Sequence, residues 1–259
     1  MSTTTALITG ASGGIGYELA KLFARDHYNL VLVARSADKL AQIASELQAH
    51  GVTVKIIALD LAEPPAPKFL FDQLQREGIA VDILINNAGF GVFGEFAQIP
   101  EEEILGQIDL NIRALTELTR WFLPPMIARR GGRIMNVAST AGFQPGPLMA
   151  VYYATKAYVI SFSEAIANEV RNTGVTVTCF CPGATHTGFA ARAGVDKSRL
   201  FKLGAMSAEK VARDGYRAMM QGRTLAISGA HNWLVAQSTR FAPRRMVTAV
   251  SRWISEQAK

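Results

Sequence analysis

An α/β fold with a doubly wound parallel sheet is the class this 259-residue chain predicts, and three observations carry that reading. Seven apolar runs, at residues 6–9, 30–34, 54–59, 83–85, 133–137, 175–180 and 225–227, alternate with segments of helical character. Most of these runs are continuously apolar, as strands are when helices cover both faces of a parallel sheet. The alternation continues without a linker or a shift in composition. A single domain over 1–259 is therefore expected, with a seven-stranded parallel sheet flanked by helices.

The first run passes directly into TGASGGIG at 9–16, and a helix pattern follows. In such a unit Gly10 turns the chain sharply, Gly14 lets the backbone approach an anion, and Gly16 allows the helix to lie close to the sheet. Ser12, Gly13 and Ile15 complete the loop. Amide donors and the positive end of the helix dipole favour a pyrophosphate there. The loop lacks the GK[ST] ending of nucleoside-triphosphate loops, so a Rossmann-like dinucleotide site is expected.

The second run ends in VLVARS at 31–36. An acid about 20 residues past the glycines holds the ribose hydroxyls of NAD, whereas an arginine there accommodates the 2′-phosphate of NADP. This chain places Arg35 at that point and no acid before Asp38. A guanidinium offers a phosphate several charge-assisted bonds, which predicts NADP(H) as cofactor. After the third run, Asp60 is placed to reach an adenine amino group and Leu61 to lie along the ring. AEPPAP at 62–67 reads as a loop leading into a helix, a position that consecutive prolines tolerate. NNAG at 86–89 follows the fourth run. Ala88 and Gly89 leave room for a flat cofactor, while Asn86 and Asn87 are equally suited to holding the turn through their amides.

The fifth run leads into VASTAGFQPG at 137–146, which puts Ser139 near the carboxyl edge of the sheet, where open α/β sheets bind ligands. Downstream, YYATK at 152–156 lies in a helix pattern. Positions four apart share a helix face while neighbours diverge by about 100°. Tyr152 thus shares a face with Lys156, and Tyr153 turns toward packing or a substrate wall. Where Ser139 meets that face, the three make a carbonyl-handling group. The ammonium favours the phenolate of a tyrosine whose ordinary pKa is about 10, the phenol exchanges a proton as hydride moves, and the serine orients the carbonyl oxygen.

Residues 188–205 show no strong period and read as a lid, and 229–259 as a carboxyl-terminal extension. We assign the extension to packing on the core or on another subunit. A peripheral membrane contact through Trp233, Leu234, Phe241 and Trp253 is set aside, because the apolar face and basic edge are not cleanly separated in the sequence.

Composition narrows the function classes. Hydrophobic residues make up 49% of the chain and glycines number 22, enough for a sizeable core and unlike a disordered chain. The net charge of +6 is scattered, with short clusters at Arg129, Arg130 and Arg133 and at Arg240, Arg244 and Arg245. No basic helix or aromatic-interleaved strand supports nucleic-acid binding. Cys179 and Cys181 read as buried thiols of a reducing compartment. The histidines at 27, 50, 186 and 231 lack the spacing of a metal site, so no metal is expected. MSTTTALITG has no basic segment followed by a long apolar stretch, and no run reaches the roughly 18 apolar residues of a membrane span. A cytoplasmic protein is the expectation.

TGASGGIG, NNAG, Ser139 and YYATK, in this order and at these spacings, resemble the short-chain dehydrogenase/reductase family across essentially the entire chain. The resemblance implies an oxidoreductase in which Ser139, Tyr152 and Lys156 match the family's catalytic triad, with Tyr152 as acid or base. It implies that Asn111, in DLNIRAL, matches the helix asparagine that holds a water beside the lysine for a proton relay, and that Lys156 also bonds the nicotinamide ribose. PGATHTG at 182–188 matches the family's proline–glycine loop. Pro182 and Gly183 would shape the nicotinamide pocket, Thr187 would hold the carboxamide or a phosphate oxygen, and Thr185 belongs to the same loop.

Arg35, VLVAR and PRRMV resemble a bacterial subgroup of the DltE type. Assembly as a homodimer or homotetramer through the helices at about 101–128 and 151–173 is likewise implied. Phe90, Phe93, Phe96, Phe143, Met149 and Phe189, with the 188–205 segment, are candidates for an apolar substrate pocket. The resulting expectation is an NADPH-dependent carbonyl reductase or alcohol dehydrogenase acting on an apolar ketone or aldehyde. The alternatives are a 3-oxoacyl thioester reductase and a noncatalytic NADP-binding regulatory protein.

Overall fold

Strands β1 (Thr5–Thr9), β2 (Asn29–Ala34), β3 (Val54–Ala58), β4 (Ile83–Asn86), β5 (Gly132–Val137), β6 (Val175–Cys181) and β9 (Leu225–Ile227) form one sheet. Its order is β3-β2-β1-β4-β5-β6-β9, and every pairing is parallel. The computed structural model describes residues 4–195, 198–199 and 204–256. Two short strands, β7 (Thr185–His186) and β8 (Met206–Ser207), pair separately beyond β6.

The continuous apolar runs have a direct cause in β2. Leu30, Leu32 and Ala34 enter the core on one side of the sheet, and Val31 and Val33 enter the core on the other. With both sides covered, neither set of alternate positions is free to be polar. Helices α1 (Gly14–Arg25), α2 (Ala37–Gln48) and α8 (Ala208–Met220) fill the first side through Leu19, Phe23, Leu40, Leu47, Val211 and Met219. Helices α3 (Ala66–Arg76) and α5 (Leu115–Ala128) supply Leu70, Leu74, Leu118, Phe122 and Met126 to the second, with α6 (Ala150–Glu169) packed beside them through Ile166.

From β1 the chain winds outward through β2 and β3, then returns and winds the opposite way through β4, β5 and β6. The crossovers therefore diverge at the carboxyl ends of β1 and β4, and a crevice opens between them.

The helix expected as one piece over about 101–128 is interrupted. Between α4 (Glu101–Ile108) and α5, residues Asp109–Ala114 form a π-type turn that carries Asn111. The 188–205 segment opens with the short helix α7 (Gly188–Ala193), ended by Gly194 at φ 74°. Residues 196–197 and 200–203 of that segment lie outside the described residues, as do 1–3 and 257–259.

The extension forms helices α9 (Ala230–Ser238) and α10 (Arg244–Ser255). Their inner sides wall the crevice, while Trp233, Leu234, Phe241 and Trp253 are exposed on this chain. Arg252 pairs with Glu95 at 2.9 Å, and Arg199 donates to the Trp253 carbonyl at 2.7 Å. Among the described residues no helix is long and apolar enough to cross a membrane. Nor does any group of three or more metal-ligating side chains occur among them. Cys179 and Cys181 are free and buried, with their sulfurs 3.8 Å apart.

Candidate active site

The crevice is a cleft of about 890 Å³ that runs from the end of β2, past the glycine loop and Tyr152, to α9 and α10. Its dinucleotide end is shaped by backbone. Gly10 has φ 66°, a left-handed conformation that a side chain would strain. A Cβ on Gly16 would come within 2.4 Å of the Gly10 carbonyl oxygen, so α1 lies against the loop only because that position is bare. Gly14, at φ 55°, meets the Thr187 methyl in the same way at 2.9 Å. No side chain caps the start of α1, which leaves its first amides open to a ligand. These open amides, with nothing crowding Gly13 within 4 Å, fit a pyrophosphate. Ser12, Ile15, Leu61, Ala88 and Gly89 line the same end.

Asn87 fastens this loop to β4 by donating from Nδ2 to the Thr9 and Gly10 carbonyls at 2.9 and 3.3 Å. Asn86 instead bonds the buried Thr119 and Asn136 side chains and does not enter the cleft. At the end of β2, Arg35 lies 3.6 Å from Asp60, and Asp60 also accepts the Ala62 amide at 3.0 Å. Asp60 is thus already engaged by protein groups, on the rim where adenine contact was expected.

Two cations at this end were missed in the sequence. Ser36 caps α2 by accepting the Lys39 amide at 3.4 Å, which sets Lys39 on the cleft wall. Arg192, on α7, stacks over Phe90 at 4.3 Å. Burial, followed by repulsion from Arg35, lowers its proton affinity, while Asp60 and Glu103 act the other way. The cap at Ser36 was readable in the sequence; the placement of Arg192 depends on how α7 folds back.

At the chemical end, Ser139 follows β5 and its Oγ accepts the Ala141 amide at 3.1 Å and donates to the Pro182 carbonyl at 3.4 Å. Tyr152 as a residue is half-buried, but its phenol stands in the cleft interior. Burial pushes its pKa well above the ordinary phenol value. A hydrogen bond with Ser139 opposes the shift, and Tyr153 adds to it. This corrects the expectation that Lys156 holds the phenol down. Lys156 Nζ lies 5.7 Å from the Tyr152 ring centroid and donates to the Val137 carbonyl at 2.8 Å. Burial lowers Lys156 itself to about 8, partly opposed by Cys179 and Cys181 on the strand behind it. In the absence of a dinucleotide, burial is the largest influence on both groups, raising the phenol and lowering the ammonium.

Asn111 is buried, and its side chain is committed to protein partners. Oδ1 accepts the Phe90 amide at 3.1 Å, and Nδ2 donates to the Phe90 carbonyl at 2.8 Å and to Thr155 Oγ1 at 3.1 Å. Tyr153, 6% exposed, packs with Met149, Ala190 and Ala193, and its ring covers Gly146. In the loop after β6, Pro182 accepts the Thr140 amide at 2.8 Å, and Thr185 donates to the Gly183 carbonyl at 2.9 Å. A Cβ on Gly183 would fall 2.3 Å from Asn232 of α9, so the nicotinamide-side loop and the extension touch. Thr187 caps α7 by accepting the Phe189 amide at 3.2 Å.

Of the apolar candidates, Phe90, Met149 and Phe189 line the cleft, and the Phe189 and Tyr152 rings are 5.2 Å apart. Phe93 packs behind them. Phe96 and Phe143 are corrections: Phe96 is 58% exposed outside the cleft, and Phe143 packs against the cluster of Val159 and Ile160. His231, Asn232, Val235, Ser251 and Ile254, none of them foreseen, close the far wall. No local pattern marks them, because only the return of the chain after β9 brings them there.

Known proteins resemble this chain in sequence and fold. The profile of the short chain dehydrogenase family matches residues 4–198. A short-chain dehydrogenase from Sphingobium yanoikuyae, solved in complex with NADPH, is 34% identical, with a TM-score of 0.83 over 92% of this chain and 94% of that one. The bulky-bulky ketone specific alcohol dehydrogenase from Comamonas testosteroni is 31% identical, with a TM-score of 0.79 over 93% of each chain. The ketoacyl reductase HetN of Nostoc sp. is 35% identical over 86% of this chain and 77% of its own. A very-long-chain 3-oxoacyl-CoA reductase of Phaeosphaeria nodorum is 38% identical over 68% of this chain, which spans only 53% of that protein. With glycine loop, serine, tyrosine and lysine gathered on one cleft and the family profile matching most of its length, the chain belongs to the short-chain dehydrogenase family.

Proposed function

We propose that the protein is an NADPH-dependent carbonyl reductase acting on an apolar ketone or aldehyde, and on the matching alcohol in reverse. The observation that carries this reading is the gathering of Ser139, Tyr152 and Lys156 with the glycine loop on one cleft, where the Tyr152 ring lies 5.2 Å from that of Phe189. A phenol on that cleft is placed to exchange a proton with a carbonyl oxygen as hydride moves. When bound, the nicotinamide supplies the hydride. Ser139 donates to the carbonyl oxygen and shares its growing charge, and Tyr152 delivers the proton to that oxygen. Lys156 anchors the ribose side, and Asn111 positions Phe90 and Thr155 around the same space.

Arg35 and Lys39 hold the 2′-phosphate, with Arg192 above them. Gly10, Ser12, Gly13, Gly14, Ile15 and Gly16 carry the pyrophosphate, and Asp60, Leu61, Asn87, Ala88 and Gly89 border the adenosine and ribose. Pro182, Gly183, Thr185 and Thr187 border the nicotinamide. The NADPH complex of the Sphingobium relative and the ketone specificity of the Comamonas enzyme support this reading.

Reduction of a 3-oxoacyl thioester is the second reading, favoured by the names of two relatives. A noncatalytic dinucleotide-binding role is disfavoured, because Ser139, Tyr152 and Lys156 are all present on the cleft. The exposed apolar residues Leu105 and Ile108 on α4 and Tyr158 on α6 support pairing of copies through those helices, as homodimer or homotetramer. Arg35 and the PRRMV stretch support a DltE-type subgroup.

The test is NADPH oxidation followed by absorbance with a panel of lipophilic ketones and of 3-oxoacyl thioesters, alongside fluorescence titration with NADPH and NADH. Turnover of the ketones with preferential NADPH binding is expected. Turnover of thioesters alone would select the second reading, and preference for NADH would remove Arg35 from the phosphate site.

A further inference from the structure

We propose that the outer face of α9 and α10 docks on an anionic lipid bilayer, so that the helices walling the cleft also rest on the phase that holds a lipophilic substrate. The docking stands on the surface alone; the delivery of substrate rests on the carbonyl-reductase reading.

Helix α10 is packed inside out. Ser251 and Ser255 face inward, 2% and 4% exposed, while Met246, Val250 and Trp253 stand outward at the four- and three-residue steps of one helix stripe. Trp233 and Leu234 on α9 and Phe241 in the connecting turn extend the apolar surface, and Phe241 is 87% exposed. Isolated exposed apolar side chains are ordinary, but a stripe of this kind on consecutive elements marks an interaction site.

Charge identifies the occupant. Between Asp214 and Glu256 the sequence contains no carboxylate, and 229–255 carries Arg240, Arg244, Arg245 and Arg252. Arg252 is paired with Glu95 and Glu256, whereas Arg240, Arg244 and Arg245 are exposed and enter no ion pair among the described residues. Aromatic and aliphatic side chains with a cationic fringe match a bilayer interface bearing anionic headgroups. A second copy of this chain fits less well, since a two-fold contact would set these arginines against their own counterparts. The apolar residues on α4 and α6 lie on other elements, so assembly through them leaves this face open. The expectation from sequence fails here because the separation of faces exists only in three dimensions: Ser251 and Ser255 turn to the cleft, while the arginines of α10 stay with its outer side.

The experiment is co-sedimentation of the full chain with vesicles of phosphatidylcholine, alone or with about a third phosphatidylglycerol. Two double variants accompany it, Phe241→Ser with Met246→Ser, and Arg244→Glu with Arg245→Glu. Binding to the anionic vesicles is expected, falling roughly tenfold or more with neutral vesicles, with about 1 M salt, or in either variant. Oxidation of NADPH with a water-soluble ketone should be unchanged in both variants, which shows that they are folded. Failure to bind anionic vesicles, or binding indifferent to the substitutions, would overturn the proposal. A dimer in light scattering that Phe241→Ser with Met246→Ser dissociates would assign the face to a second copy instead. Vesicle binding without turnover of any carbonyl would leave the docking intact and refute the reductase reading.

Discussion

Lys156 Nζ lies 5.7 Å from the centroid of the Tyr152 ring and 2.8 Å from the Val137 carbonyl oxygen. The two residues share a face of α6, yet the end of β5, and not the phenol, takes the ammonium's hydrogen bond. Burial then governs both groups, raising the phenol and lowering the ammonium to about 8. The cofactor-free cleft accordingly favours the neutral phenol of Tyr152, and Lys156 is tied to the end of β5.

Removing the phenol proton of Tyr152 should abolish turnover without disturbing cofactor binding. Tyr152→Phe keeps the ring against Phe189, so NADPH fluorescence titration is expected to be unchanged within about threefold. The turnover number should fall by roughly 10²–10⁴, the usual contribution of a positioned acid. Activity near wild type would place the acid elsewhere.

Arg35→Ala tests the phosphate site. A bond to a charged group contributes about 1.5–3 kcal/mol, so NADPH affinity should weaken about tenfold to hundredfold while NADH affinity stays level. Adding Lys39→Ala should weaken NADPH further. Equal loss for both cofactors would mean that Arg35 acts through Asp60 on the shape of the rim.

Gly16→Ala probes the contact between α1 and the glycine loop. Its Cβ would meet the Gly10 carbonyl at 2.4 Å and Asn87 Nδ2 at 2.6 Å, neither of which can yield without moving backbone or breaking the tie to β4. Overpacking of this kind costs about 1–3 kcal/mol, or a drop of roughly 3–12 °C in Tm, together with weaker NADPH binding. An unchanged Tm would show that the loop relaxes freely.

The buried ammonium predicts a pH signature. Lys156 has a folded-state pKa of about 8 against an ordinary value of 10.5, so between those values the unfolded chain binds more protons than the folded one. Wild type should therefore gain stability relative to Lys156→Met as pH rises from about 8 toward 10.5, and the two should run parallel below that window. Urea denaturation of the cofactor-free proteins at pH 7, 8, 9 and 10 measures this. A flat difference would mean that Lys156 is not desolvated in the folded protein.

Much of the dinucleotide end was legible because its signals are local. A glycine loop between strand and helix, and an arginine at the end of the next strand, lie within a few residues of the backbone they shape. The seven strands were readable for a similar reason: burial on both sides imposes continuous apolar runs such as Val31 to Ala34. The substrate end was less legible. Phe96 and Phe143 look as suitable in sequence as Phe90 and Phe189, but only the latter pair turns into the cleft.

The sequence by itself determined the order of strands and helices, the glycine loop and the helical register that sets Tyr152 beside Lys156, since each follows from period, turn chemistry and backbone freedom. Only the tertiary structure decided the burial of the Tyr152 phenol, the π-type turn at Asn111, the reach of Arg192 over Phe90 and the outward stripe of α10. Those depend on desolvation and on contacts between residues far apart in the chain, such as Arg252 with Glu95 and Asn232 with Gly183, which no local pattern encodes.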